Sequence, residues 1–186
     1  MEEAFLKEDV KSRLLLSGLN ELSEYGARDF SLRRAAVAAG VSCAAPYRYF
    51  KGKEEYVAQI ISYLSSRWEL MAKEILRSRE SLDENALSEL FVANVRFWVS
   101  NKNAASVIVI SGENEEFSNL ELFGNALSEN LRAFLSVKNS EEFVTQKIVA
   151  LKALFTGYVT LISSGIIPNA EESYLGIKRQ VSDFIA

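Results

Sequence analysis

The chain has 186 residues, of which 48% are hydrophobic and 25% charged, and its formal net charge is −4. That length accommodates one or two domains with a sizeable core. With no histidine and one cysteine, Cys43, it has no intramolecular disulfide framework, no cysteine zinc cluster and no His-based relay or metal site. Only two prolines and nine glycines interrupt it, so the composition predicts an all-α fold. The charged start "MEEAFLKEDVKSR" has no apolar run, and no secretory signal is expected there.

The first predicted element is an amphipathic helix on Val10, Leu14, Leu15, Leu19 and Leu22, stopping at Tyr25-Gly26. Ser31 reads as the N-cap of a second helix, "LRRAAVAA", with Leu32, Ala35, Ala36 and Ala39 inward and Arg33 and Arg34 outward. After the turn Ala39-Gly40-Val41-Ser42, with Val41 pointing inward, Ser42 is expected to cap a third, very short helix ending at Tyr49 or Phe50. Pro46 falls inside that helix and predicts a late or tightened start, because its missing N–H forfeits a bond anywhere past the first turn. A long helix follows from Lys53 on the period Val57, Ile60, Leu64, Trp68, Met71, Ile75. At about 25 residues it would run ~38 Å. Further helices are expected over 86–100, near 104–111, and over 120–137, 141–164 and 170–185, about nine in total. The charge-free stretch 153–170 breaks at Ser163-Ser164-Gly165 and is too short for a membrane span, so it reads as a buried interface helix.

Two short helices about a glycine turn form a helix-turn-helix pattern, which reads DNA with its second helix in the major groove. The charge pattern agrees: residues 26–53 hold six basic residues and one acid, a basic island in an acidic chain. Cys43, Ala44 and Ala45 are small enough to let the backbone approach bases, where they can touch a thymine methyl but make no bidentate bond. Guanine reading then falls to Arg33. Ser31, Tyr47, Tyr49, Lys51 and Lys53 suit phosphates, which position without specifying, and Arg48 belongs to the same basic surface. The start of the long helix offers backbone N–H groups for one more phosphate. Arg28 and Arg34 fit solvent or DNA equally well. Phe50 reads as core, and Cys43, with no second cysteine to resolve it, reads as a base-facing residue rather than a redox sensor.

The segment Phe30–Ile60 resembles the DNA-binding region of the TetR family of bacterial transcriptional regulators. Gly40, Val41, Ser42, Tyr47, Tyr49, Phe50, Gly52, Lys53 and Glu54 stand where that family's pattern places them. Tyr56-Val57 departs from its usual aliphatic pair, and Pro46 from its common leucine. The resemblance covers about the first 60 residues and implies a DNA-binding domain over 1–50 and a ligand-binding and dimerisation domain over 51–186. It implies a cytoplasmic, nucleoid-associated protein that is not an enzyme, has no cofactor or metal, and makes no membrane contact. Its implied function is a ligand-responsive regulator, a repressor that binds a palindromic operator as a homodimer and releases it when a small molecule binds.

For the effector, of unknown identity but apolar or aromatic, the candidate lining is Leu64, Trp68 and Met71 on the long helix, then Phe91 and Trp98, Phe123 and Leu127, and Phe155. Asn94, Thr156 and Tyr158 supply polar anchors. For the homodimer, the candidate interface is Leu154, Tyr158, Leu161, Ile162 and Gly165 with Tyr174, Ile177 and Val181, a four-helix arrangement across two subunits. Two other readings stand beside this one. The first is a DNA-binding architectural or partner-controlled regulator that needs no ligand. The second, a carboxylate enzyme built on Glu113, Glu115 and Glu116, places its acids in a polar loop better read as solvated surface.

Overall fold

A computed structural model describes residues 2–79, 81–110 and 122–186, without the side chains of 2–9, 109 and 110. Its described residues form eight α-helices and no strand: α1 (Glu2–Tyr25), α2 (Leu32–Ala38), α3 (Lys53–Arg77), α4 (Glu84–Ser100), α5 (Lys102–Ile110), α6 (Asn125–Leu135), α7 (Glu141–Ser163) and α8 (Glu171–Ile185). The ninth expected helix, the third in chain order, is a single 3₁₀ turn, Pro46–Arg48. Among the described residues no helix is long and apolar enough to cross a membrane. Glu113, Glu115 and Glu116, and Leu120, where a helix was expected to start, lie outside the described residues.

By its contacts the chain divides into two compact units, Met1–Leu64 with Ser106–Leu120 and Ser65–Ala105 with Glu121–Ala186. α3 contributes residues to both.

In the first unit, α1 ends as predicted. Gly26 takes the left-handed φ of 71°, which glycine adopts without a Cβ penalty, and its N–H bonds back to Leu22 O at 2.9 Å. Leu14 and Leu22 are buried, and between them on the same face Ser17 and Glu21 are buried too. Phe50 is in the core as expected, stacked on Tyr56 with ring centroids 4.1 Å apart, while Phe30 meets the same ring edge-on at 5.3 Å. The Tyr56 hydroxyl donates to the Leu14 carbonyl, so the departure from the aliphatic pair is a buried aromatic with a satisfied polar tip.

In the second unit, α8 packs on α4. Tyr174, Ile177 and Val181 of α8 are buried. Lys178 Nζ donates to Glu89 Oε1 at 2.6 Å, and Arg96 reaches Glu171 at 2.6 Å while lying 3.8 Å over the Tyr174 ring. The Lys178 bond, the first cause, holds the Glu89 carboxyl below its ordinary pKa. α6 starts at Asn125 rather than near 120, because Gly124 before it has φ 78° and ψ 152°, a non-helical conformation essentially confined to glycine. A Cβ there would lie 2.7 Å from Trp68 Nε1 and 2.8 Å from Glu69 Oε1.

Candidate nucleic-acid interface and the core of the second unit

α2 begins where the sequence predicts. Ser31 is its N-cap, in extended backbone, and its hydroxyl accepts from Arg34 N at 3.3 Å. The helix closes in a Schellman motif: Val41 N–H bonds Ala36 O and Gly40 N–H bonds Val37 O, each at 3.0 Å, with Gly40 at φ 68°. Arg13 of α1 donates to Ala39 O at 3.2 Å, another carbonyl at that end.

The recognition segment is tighter than a helix of two turns. Pro46 has no N–H to offer the Ser42 carbonyl, so Ala45 N–H takes it at 2.9 Å with the short i→i+3 spacing. Arg48 to Ala45 O and Tyr49 to Pro46 O continue that spacing at 3.1 and 2.9 Å. Ser42 is therefore not the cap expected of it; Ala45 stands at the N-cap, with no side-chain cap bond.

Of the predicted DNA contacts, Arg33, Cys43, Ala44, Tyr47, Arg48 and Lys51 are exposed, and Ser31, Tyr49 and Lys53 are half-buried. Tyr47 is 64% exposed, unusual for an aromatic without a partner surface. The tight turn leaves Ala45 buried, 8% exposed, so the exposed small residues of the segment are Cys43 and Ala44. Lys53 Nζ donates to Arg28 O at 2.7 Å. The start of α3 carries Glu54 and Glu55, and Glu55 accepts from Lys51 N–H at 2.7 Å, so two carboxylates already occupy the end expected to offer its N–H groups to a phosphate.

Arg34, open between solvent and DNA on sequence grounds, has an internal partner. Glu21, 6% exposed on α1, accepts from Arg34 Nε and from Ser31 N–H, each at 2.9 Å, and from Arg34 Nη2 as well. The same guanidinium donates to Asp29 O at 2.6 Å and lies 4.1 Å over the Tyr25 ring. Glu21 thus fixes the start of α2, and with it the neighbouring Arg33. Sequence reading missed this residue, although a carboxylate seven positions after Leu14 and adjacent to Leu22 sits on the apolar face and needs a partner there.

In the second unit, seven predicted effector residues are buried and close-packed. Phe91, Phe123 and Phe155 form an edge-to-face triangle with centroids 5.4 to 6.0 Å apart, and Tyr158 meets Phe91 at 6.5 Å. Trp68, Trp98, Asn94 and Leu127 are buried as well. Asn94 Nδ2 donates to Phe123 O at 2.7 Å, while its Oδ1, like Trp68 Nε1 and Trp98 Nε1, is buried without a hydrogen-bond partner. Thr156 is half-buried. Met71 is 45% exposed, and Ala72 beside it is buried. In the first unit, Leu64 is buried.

The predicted dimer residues separate into two groups. Ile162, Tyr174, Ile177 and Val181 are buried within the chain's own core. Leu154, Tyr158, Leu161 and Gly165 remain at the surface or half-buried. Leu154, Tyr158 and Leu161, together with Ala150, Ala153, Gly157 and Phe184, line an open apolar groove of about 520 Å³.

The short helices about the Gly40 turn, followed by further helices, are an arrangement shared with known proteins. Residues 14–60 match the family model described as bacterial regulatory proteins, tetR family. Three solved structures share the whole fold at low identity. A putative TetR-family regulator from Rhodococcus sp. is 16% identical, covering 96% of this chain and 100% of its own, with TM-score 0.69. The regulator FadR from Bacillus subtilis, in complex with stearoyl-CoA, is 13% identical over 94% of this chain and 96% of its own, with TM-score 0.67. RolR in complex with resorcinol is 12% identical over 98% and 96%, with TM-score 0.64. No curated protein matches the chain.

Proposed function

We propose that this protein is a ligand-responsive transcriptional repressor of the cytoplasm that binds a two-fold symmetric operator as a homodimer. Residues 1–50 form the DNA-binding domain and 51–186 the ligand-binding and dimerisation domain. The observation that carries this reading is the exposed set Arg33, Cys43, Ala44, Tyr47, Arg48 and Lys51 around a helix-turn-helix whose geometry Glu21 and Pro46 fix. Arg33 reads a guanine, Cys43 and Ala44 touch bases, and Tyr47, Arg48, Lys51, Tyr49, Ser31 and Lys53 meet phosphates.

Operators of helix-turn-helix dimers place half-sites about 34–36 Å apart, which calls for two copies. The partner is a second copy of this chain seated on the α7 groove of Ala153, Leu154, Gly157, Tyr158 and Leu161. This groove is apolar, and its small residues permit close helix approach. The effector binds among the aromatic residues of the second domain. Neighbours of the same fold carry ligands, stearoyl-CoA in one and resorcinol in the other, which supports that reading. Because α3 runs unbroken from Lys53 to Arg77, a shift at Trp68 moves Lys53 and the recognition segment with it. A coupling of about 1–3 kcal/mol would lower operator affinity 5- to 150-fold.

The test is selection of bound duplexes from a random-sequence pool. The reading expects an enriched, two-fold symmetric motif with half-sites about one helical turn apart. Recovery of unrelated sequences, or of an asymmetric motif bound by one copy, would contradict it.

A further inference from the structure

Among the described residues of the second unit, six buried polar side-chain atoms lack a partner: the hydroxyls of Ser65, Ser128 and Ser163 on half-buried residues, and one acceptor and two donors in the core, whose chemistry describes a ligand. Asn94 Oδ1, Trp68 Nε1 and Trp98 Nε1 have no hydrogen-bond partner, and their residues are at most 1% exposed. A buried polar group without a partner forfeits its full desolvation free energy, so three in one core is a conspicuous departure from a satisfied interior. Asn94 and Trp68 both flank the Phe123-Gly124 bend. Asn94 Nδ2 bonds Phe123 O at 2.7 Å, and Trp68 Nε1 lies 2.7 Å from the position a Cβ would take on the next residue, Gly124. Trp98 follows Asn94 one turn along α4. The apolar surroundings are rings: Phe123 and Phe155 are edge-to-face at 5.4 Å, and Phe91 faces both.

We infer that the effector of this domain is an uncharged ring compound bearing one or more hydroxyl groups. The inference rests on the ligand-responsive reading above and narrows its ligand. A hydroxyl both donates and accepts, so it satisfies the Asn94 amide oxygen and an indole N–H, whereas a carboxylate offers no proton to Asn94 Oδ1. None of the three anchors carries a charge, and the Glu69 carboxylate beside Trp68 at Gly124 is already engaged by the Asn125 and Ala126 N–H groups, so burying a charged ligand there is far more costly than burying a neutral one. The three phenylalanines favour a ring, which they can meet edge-on or offset. A sealed site is filled only when the protein opens locally, so binding selects and stabilises a minor open state.

The experiment uses the full chain with phenol, toluene and benzoate as probes of matched size, followed by thermal melting and intrinsic tryptophan fluorescence. Phenol is expected to raise the melting temperature and perturb the fluorescence at lower concentration than toluene, with benzoate ineffective. One hydrogen bond corresponds to a preference of about three- to tenfold for phenol over toluene. Trp68→Phe and Trp98→Phe each keep a ring but remove an N–H, and either is expected to narrow that preference while toluene binding persists. Equal binding of phenol and toluene, a preference for benzoate, or no phenol binding would overturn the inference. Its failure is distinct from failure of the repressor reading. If DNA release responds to some molecule that is not hydroxylated, only this inference falls. If phenol binds as described and no stabilising molecule alters DNA affinity, only the ligand-responsive reading falls.

Discussion

Glu69, in the middle of α3, caps a helix other than its own: its Oε1 accepts from the N–H of Asn125, the first residue of α6, at 2.8 Å. Its Oε2 accepts from Ala126 N–H at 3.0 Å. Gly124, at the N-cap position, has no side chain for this purpose, so a carboxylate from another helix supplies both the acceptor and the negative charge favoured at a helix start. From the other side, Asn94 holds the Phe123 carbonyl. The approach to α6 is therefore fixed by one residue of α3 and one of α4.

Glu69→Ala removes that cap and is expected to lower unfolding stability by about 1–2 kcal/mol, the usual range for losing an N-cap. Glu69→Gln keeps an acceptor but loses the charge and should lie between the two. Urea denaturation monitored by circular dichroism checks the order. If Glu69→Ala matches the wild type, the cap contributes nothing.

Arg34 and Arg33 are adjacent but do different work. Arg34→Ala leaves the buried Glu21 carboxylate with only the Ser31 N–H, an expected loss of stability. It should weaken binding to every DNA sequence alike, since it acts by positioning α2. Arg33→Ala should leave stability unchanged and relax preference at one base pair. Denaturation midpoints combined with competition among operator variants separate the two.

Much of this region was legible in the sequence, and its limits have identifiable causes. Gly26, Ser31 and Gly40 are local signals, each sufficient to punctuate the backbone, and each does so where predicted. Pro46 was readable as a tightening, but the collapse to one 3₁₀ turn depends on which donor takes the Ser42 carbonyl. Ala45 then turns inward for the same reason. The stripe of Tyr174, Ile177 and Val181 showed that α8 has an apolar face, but periodicity does not say whether that face meets its own chain or another. Glu69 gave no local signal, because its partners lie more than fifty residues away.

Tyr56 makes stability sensitive to alkaline pH. Burial, the first cause, pushes its hydroxyl pKa up from 10.0 to about 12, opposed in part by a hydrogen bond with Ser17. Between those values the folded chain holds a proton that the unfolded chain has released, so stability falls as pH rises through that window and is unaffected by this group below it. Tyr56→Phe should lower stability at neutral pH through the lost bond to Leu14 O and make the alkaline decline shallower. Denaturant midpoints from pH 8 to 12 check both.

The α7 groove predicts a second variant class. Leu154 is 38% exposed, and Leu154→Glu places a charge in the proposed interface while the monomer core is untouched. Sedimentation should show a dimer becoming a monomer, with circular dichroism unchanged and operator affinity strongly reduced. A dimer that survives this change would relocate the interface.

The most direct test of the account is operator affinity measured by fluorescence anisotropy across a salt series for the wild type, Lys51→Ala and Arg33→Ala. Lys51 is the informative lysine because Lys53 is already bonded to the Arg28 carbonyl. Phosphate contacts make affinity fall steeply with salt, and removing one should reduce the slope by about 1. The account predicts that Lys51→Ala weakens all sequences equally with a shallower slope, while Arg33→Ala costs about 1–3 kcal/mol at one guanine and leaves other positions alone. Unchanged affinity, slope and preference in both variants would contradict the claim that this surface reads DNA.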